Sequence, residues 1–179
     1  MAATSSSTQS SGNTEKWLEY NNNTYGISIQ YPSSWESSPG ENNGSGGSSI
    51  DVATFSPTRE KNSSAILDLL VDTVDPGQNL KQYVSDSISD NMADRKDFRV
   101  LKSSIGNITL AGVPAYKIVY TYADAGQNFK GLETGTIIGN RVYFVQYENS
   151  QSRYDKDIST AQKMIDSFKI ENPLNVINR

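Results

Sequence analysis

The sequence predicts an α+β fold in which a twisted antiparallel β-sheet is flanked by helices, an α/β/α sandwich. Three observations carry this reading. Short runs rich in β-branched and aromatic residues recur along the chain, each bounded by turn residues. Two segments instead repeat apolar residues at steps of three and four. In chain order the result is strands, helix, strands, helix, with links too short for parallel crossovers.

Met1 to Thr14 holds no large apolar residue and cannot offset its own ordering entropy, so 1–14 reads as a flexible Ser/Thr-rich tether, 15–171 as one domain and 172–179 as a C-terminal tail. Trp17 to Tyr20 and Tyr25 to Tyr31 flank Asn21-Asn22-Asn23 as a hairpin. Ser37 to Ser49, with four glycines and one proline, reads as a long mobile loop. It is no phosphate cradle, because no Gly-Lys-Ser/Thr closes it and a strand rather than a helix follows. Ile50 to Phe55 and Ala65 to Val74 are the next strands; Leu67, Leu69 and Val71 share one face, and Asp68 and Asp72 share the other with Leu70. Leu80, Tyr83, Val84, Ile88 and Met92 mark a helix that Asn79 is placed to cap, with Gln82 as its capping-box partner. Strands follow at Phe98 to Leu110, Pro114 to Tyr122, Phe129 to Ile138 and Arg141 to Tyr147. The closing helix spans about Ser152 to Phe168, its stripe formed by Tyr154, Ile158, Ala161, Ile165 and Phe168.

The composition excludes much chemistry. With 16 basic and 20 acidic residues the chain carries a net charge of −4 and lacks the surplus of Lys and Arg that nucleic acid requires, so no nucleic-acid partner is expected. There is no Cys, hence no disulfide framework, thiolate nucleophile or cysteine zinc site. There is no His, which removes the commonest general base and metal ligand and every Ser-His-Asp arrangement. No G-x-S-x-G or S-x-x-K string supports serine catalysis, and no EF-hand loop is present. No stretch approaches the roughly 20 apolar residues of a membrane span; even Ala65 to Val71 is broken by Asp68.

Several strings carry a family resemblance. Tyr25-Gly26-Ile27-Ser28-Ile29-Gln30-Tyr31-Pro32-Ser33-Ser34-Trp35 resembles the opening strand of PsbP-like domains. Ala111-Gly112-Val113-Pro114-Ala115-Tyr116, the Gly139-Asn140 hairpin and the terminal Ile165-Asp166-Ser167-Phe168-Lys169-Ile170 sit where that family places similar strings, so the resemblance covers roughly Lys16 to Ile170. Each string also has a structural reason: proline ends a strand, and Trp35 and the Tyr116, Tyr120 and Tyr122 series suit core or half-buried sheet surface. The superfamily holds the extrinsic PsbP subunit of the photosystem II oxygen-evolving complex and the nuclear Mog proteins that bind the Ran GTPase. The resemblance therefore implies a binding module. Photosynthetic members use histidines and carboxylates in proposed metal contacts; this chain has no His, and no functional residue is carried over. The Ser/Thr tract suits the exported, often lipid-anchored prokaryotic relatives.

Two carboxylate groups remain candidates. A two-residue Gly139-Asn140 turn pairs positions that sum to 279, which places Glu133 and Glu148 as diagonal neighbours roughly 7 to 8 Å apart on a face kept open by Gly131 and Gly135. Such a pair can hold a divalent cation or act as acid and base on a glycoside; the plainer reading is a strand end reaching solvent. Asp86, Asp90 and Asp94 recur every four residues as a stripe that costs about 0.2 to 0.5 kcal/mol per like-charged pair. A cation or basic partner would offset that cost, while a solvated helix face is the ordinary explanation. Arg95, Lys96, Arg99 and Lys102 follow at the helix C-terminus, where cations complement the dipole or meet an anionic surface. Asparagine glycosylation acceptors occur at Asn22, Asn43, Asn62 and Asn107, which weakly favours export.

The sequence thus predicts a non-catalytic, exported, monomeric binding or scaffolding domain, associated with a cell surface. It needs no cofactor, a divalent cation at the carboxylates aside, and it works on a protein partner. The alternatives are a hydrolase using Glu133 and Glu148 and a small-GTPase regulator of the Mog kind.

Overall fold

A computed structural model describes residues 15–40, 49–58 and 64–171; the expected tether 1–14, most of the polar loop, the tail 172–179 and the acceptors Asn43 and Asn62 lie outside them. The chain runs β1 (Trp17–Asn22), β2 (Ile27–Pro32), β3 (Trp35–Pro39), β4 (Ile50–Pro57), β5 (Ile66–Thr73), α1 (Leu80–Asp94), β6 (Lys96–Leu110), β7 (Val113–Asp124), β8 (Gln127–Ile138), β9 (Arg141–Ser150), α2 (Tyr154–Ser167) and β10 (Lys169–Ile170). Seven strands form one antiparallel sheet in the order β3-β4-β5-β9-β8-β7-β6, and β1-β2-β10 form a second sheet. Among the described residues no helix is long and apolar enough to cross a membrane.

The sandwich differs from expectation in one outer layer. Helix α1 lies on one face of the large sheet, where Val84 packs with Phe98, Tyr116, Ile118, Tyr120, Val142 and Phe144. The opposite face carries α2 together with the small sheet: Ile27 and Ile29 of β2 join Ala161, Met164, Ile165 and Phe168 over Leu67, Leu69, Val71, Val145 and Tyr147. The β1–β2 hairpin therefore leaves the main sheet. Its Ile27 and Ile29 are buried beside α2, and β10, which follows α2 directly, closes its edge by pairing Lys169 with Ser28 and Ile170 with Ile27. The other unanticipated strand is β3. Ser37, Ser38 and Pro39, expected as loop, pair with Phe55, Thr54 and Ala53, anchored by a Trp35 that is only 5% exposed.

Strand alternation makes both cores. On β9, Tyr143, Val145 and Tyr147 face α2, while Val142 and Phe144 face α1. On α1, Asn79 caps through its side chain, which accepts from the Gln82 amide at 3.0 Å. Met92, expected in the buried stripe, is 63% exposed. Each step of four residues turns the stripe by about 40°, so a residue two steps beyond Val84 has rotated about 80° out of the interface.

Strands β6 to β9 are joined by two-residue turns. Ala111-Gly112 and Ala125-Gly126 both hold positive φ, 51° and 79° then 47° and 80°, the geometry whose twist suits a hairpin. The β8–β9 register is the one the Gly139-Asn140 turn demands, pairing Ile137 with Val142, Glu133 with Gln146 and Gly131 with Glu148.

That register builds cross-strand rows on the α1 face. Tyr120 of β7, Gly131 of β8 and Glu148 of β9 stand in one row; Tyr116, Gly135 and Phe144 stand in another. The glycines do not leave the surface open. A Cβ on Gly131 would meet Tyr120 Cζ at 2.3 Å, and one on Gly135 would meet Phe144 Cβ at 2.7 Å and Tyr116 Cε1 at 2.8 Å. The tyrosine rings lie across the bare glycine backbone, a recognised way of covering glycine in a sheet. Gly131→Ala is therefore expected to displace the Tyr120 ring and lower stability by about 1 to 3 kcal/mol, read as a drop in the urea midpoint at constant slope. An unchanged midpoint would show that the ring is free to stand elsewhere.

Candidate functional site

Crossing Gly131 allows the Tyr120 hydroxyl to reach a strand two places away. It donates to Glu148 Oε1 at 2.7 Å and accepts from Gln146 Nε2 at 2.5 Å. Tyr122, one alternation further along β7, donates to Glu148 Oε2 at 2.9 Å. Arg95, the residue that caps the C-terminus of α1, donates from Nη1 to Glu148 Oε1 at 2.8 Å, and its guanidinium lies 4.3 Å from the centroid of the Tyr122 ring. Glu148 thus receives three donors, one of them cationic, from β7 and the end of α1. Tyr116 donates to Glu133 Oε1 at 2.6 Å.

The expected strand end in solvent is therefore corrected. Glu133 is 5% exposed and Glu148 8%, because α1 and the tyrosine rings cover the face. Burial raises the Glu133 carboxyl above its ordinary range, with the Tyr116 hydrogen bond and Arg95 opposing the shift and Glu148 adding to it. Burial also raises the Tyr116 and Tyr120 hydroxyls well above 10, with Glu133 and Glu148 beside them adding to the effect, so both stay protonated as donors. For Arg95, burial works against the charge, but Glu148 more than restores it and the guanidinium is held cationic.

The dipole reading of Arg95 gives way to this specific ion pair. Lys96, Arg99 and Lys102 are exposed on β6, an edge strand broken by three register shifts, where bulges and cations discourage pairing with another chain. The acceptors Asn22 and Asn107 differ in availability: Asn107 is exposed, while Asn22 Oδ1 accepts from the Tyr25 amide at 3.1 Å.

Asp86, Asp90 and Asp94 are exposed along α1, with Asp86 accepting from Gln78 Nε2 at 3.0 Å. The sequence gives no sign that they belong with Glu133, yet all four line one cleft of about 830 Å³ between α1 and the sheet, together with Asp72, Arg95 and Gln146. Glu148 is not among its lining residues. Among the described residues no group of three or more carboxylates is placed to hold a metal ion.

A further acidic residue escaped the sequence reading. Asp68 stands in the row of Thr54, Gln146 and Glu133 and accepts from Thr54 Oγ1 at 2.7 Å. Strand alternation placed it on the polar face of β5, and there it is half-buried beside Thr54.

A family model described as PsbP-like protein matches residues 2–170. No curated protein sequence matches the chain. Among solved structures the fold is similar to cyanobacterial PsbP from Synechocystis sp. PCC 6803, with TM-score 0.64 and 14% identity over 92% of this chain and 98% of that one. It is also similar to LpqN of Mycobacterium tuberculosis, a protein involved in cell envelope biogenesis, with TM-score 0.64 and 11% identity over 88% and 91% of the two chains. A Pseudomonas aeruginosa protein described as a putative regulator follows at TM-score 0.56 and 9% identity, over 84% and 94%.

Asp68 makes the buried acidity measurable. Burial raises its carboxyl from 3.8 to about 7, Thr54 opposing and Asp51 and Glu148 adding. The folded chain holds that proton more tightly than the unfolded chain, so this group's contribution declines as pH rises from 3.8 to about 7 and is level above. Asp68→Asn is expected to make the decline in unfolding free energy across that window shallower than in the wild type. Parallel wild-type and variant profiles would contradict it.

Proposed function

The chain belongs to the PsbP-like protein family, and from that premise we propose that it is a non-catalytic binding domain, exported and associated with a cell surface, that meets a protein partner through the cleft beside α1. The observation that carries the reading is the internal commitment of the two carboxylates best placed for acid–base work. Glu148 is engaged by Arg95, Tyr120 and Tyr122, and one oxygen of Glu133 by Tyr116. A general acid and base must be free to exchange protons with a substrate between them. Glu148 is not among the residues that line the cleft, whereas Glu133 is.

The cleft itself suits recognition. Its rim carries Asp86, Asp90 and Asp94 on an exposed helix face, and its floor is a sheet held rigid by long hairpins. Like charges kept on one stripe at a small cost in helix stability are consistent with a cationic partner. Export and surface association draw support from the Ser/Thr-rich stretch at 1–14 and from the structural likeness to LpqN, whose described role is in cell envelope biogenesis.

A photo-crosslinking amino acid at Asp90 is expected to capture one discrete protein in cells, and the same group at exposed Lys156 on α2, across the large sheet, is expected not to. Turnover of a chromogenic glycoside by the wild type that Glu133→Gln abolishes would instead establish a hydrolase and overturn the proposal.

A further inference from the structure

We propose that Asn107 is a glycosylation site, at which the exported chain receives an oligosaccharide from a lipid-linked pyrophosphate donor. The inference rests on the export part of the reading above and adds the place and the chemistry of a modification.

The acceptor motif is the first argument. Asn107-Ile108-Thr109 has the Asn-x-Ser/Thr form with no proline at its centre. Asn22-Asn23-Thr24 has the same form, and the fold separates the two. Asn22 is paired with Ile27 in the small sheet, where its side chain accepts from the Tyr25 amide at 3.1 Å and donates to the Tyr20 hydroxyl at 3.4 Å. Asn107 is exposed, and among the described residues no side-chain hydrogen bond engages it. Thr109, whose hydroxyl completes the motif, is exposed as well, while Ile108 between them packs against the core on the α2 side.

The backbone is the second argument. Strand β6 pairs Ile105 with Tyr116 and then Ile108 with Ala115, so Gly106 and Asn107 form a bulge outside the ladder. Gly106 holds φ at 77°, and a Cβ there would meet nothing within 4 Å. A transferring enzyme must draw asparagine and threonine into its own cleft. A bulge on the last strand of the large sheet yields to that demand without opening an interior ladder.

The third argument is what the edge lacks. Lys96, Arg99 and Lys102 guard the first half of β6, but Ser103 to Leu110 contains no charged residue. An open edge needs cover against pairing with another chain, and a hydrophilic glycan at Asn107 stands within the uncharged half.

The transfer balances simply. The Asn107 carboxamide nitrogen attacks the anomeric carbon of the first sugar and forms a C–N bond as the C–O bond to the pyrophosphate breaks. The lipid pyrophosphate leaves with the bonding pair, and one amide proton passes to a base of the transferase.

The test incubates the folded full chain with an oligosaccharyltransferase of Asn-x-Ser/Thr specificity and a lipid-pyrophosphate oligosaccharide. Mass spectrometry then reads the tryptic peptide from Ser103 to Lys117, which holds no other acceptor, and reads it again from chain isolated from the cells that produce it. Oligosaccharide mass is expected on that peptide in both samples, with Asn22 left bare. Asn107→Gln and Thr109→Ala, both at exposed positions, should abolish the gain, and Thr109→Ser should keep it. A bare peptide from the folded chain, when the same peptide made synthetically is modified, would overturn the site. So would a bare peptide from chain recovered outside the cytoplasm, or transfer to Asn22 in place of Asn107. Chain recovered from the cytoplasm alone would break the export reading instead, and the transfer to the folded chain would still decide the acceptor, which keeps the two failures distinct.

Discussion

The hydrogen bond from Tyr120 to Glu148 spans a whole strand, and much of the α1 side of the molecule follows from it. Neighbouring strands lie about 4.8 Å apart, so a bond from β7 to β9 needs a side chain that crosses β8, and β8 must offer nothing in the way. Gly131 meets that need at the point of crossing. Once the ring lies there, Glu148 is covered and must have partners, since an unpaired buried carboxylate is far costlier than a paired one. Tyr122 and Arg95 provide them, and because Arg95 is the cap of α1, the same carboxylate ties the end of the helix to the centre of the sheet.

This arrangement separates two kinds of carboxylate on a single face. Glu148 is consumed by the fold. Glu133, one row away, is half consumed and lines the cleft that α1 leaves beside the sheet, where the aspartates of the helix rim join it. The division between structural and available acid groups is thus made by tyrosine reach and glycine placement rather than by residue type. It also explains why neutral tyrosines serve here: burial keeps their protons in place, so they act as donors to the carboxylates across the ordinary pH range.

Most of the architecture was legible in the residues. Alternation marked the long strands, the three-and-four spacing marked both helices, and the Gly139-Asn140 turn set a β8–β9 register that the structure reproduces residue by residue. What was not legible depended on contacts distant in sequence. The β1–β2 hairpin alternates like any strand pair, and nothing local says that it covers α2 rather than extending the main sheet. Glu133, Glu148 and Asp68 sit on a face that reads as polar, and polar alternation is the usual mark of solvent exposure. Only the position of α1 and the lean of Tyr116 and Tyr120 bury Glu133 and Glu148, while Asp68 is half-buried in the row beside them. Likewise Asp86, Asp90 and Asp94 lie about forty residues or more from Glu133, and their meeting in one cleft is a property of the fold.

The most direct test of this account is a double-mutant cycle on the tie between helix and sheet, using Arg95→Met, Glu148→Gln and the combined variant in urea unfolding. If Glu148 anchors the α1 cap, the single changes are each strongly destabilising and the cycle yields a coupling of about 1.5 to 3 kcal/mol. Additive losses, with coupling within about 0.3 kcal/mol of zero, would show that the pair is a surface contact of no consequence and that the α1 side is held by apolar packing alone.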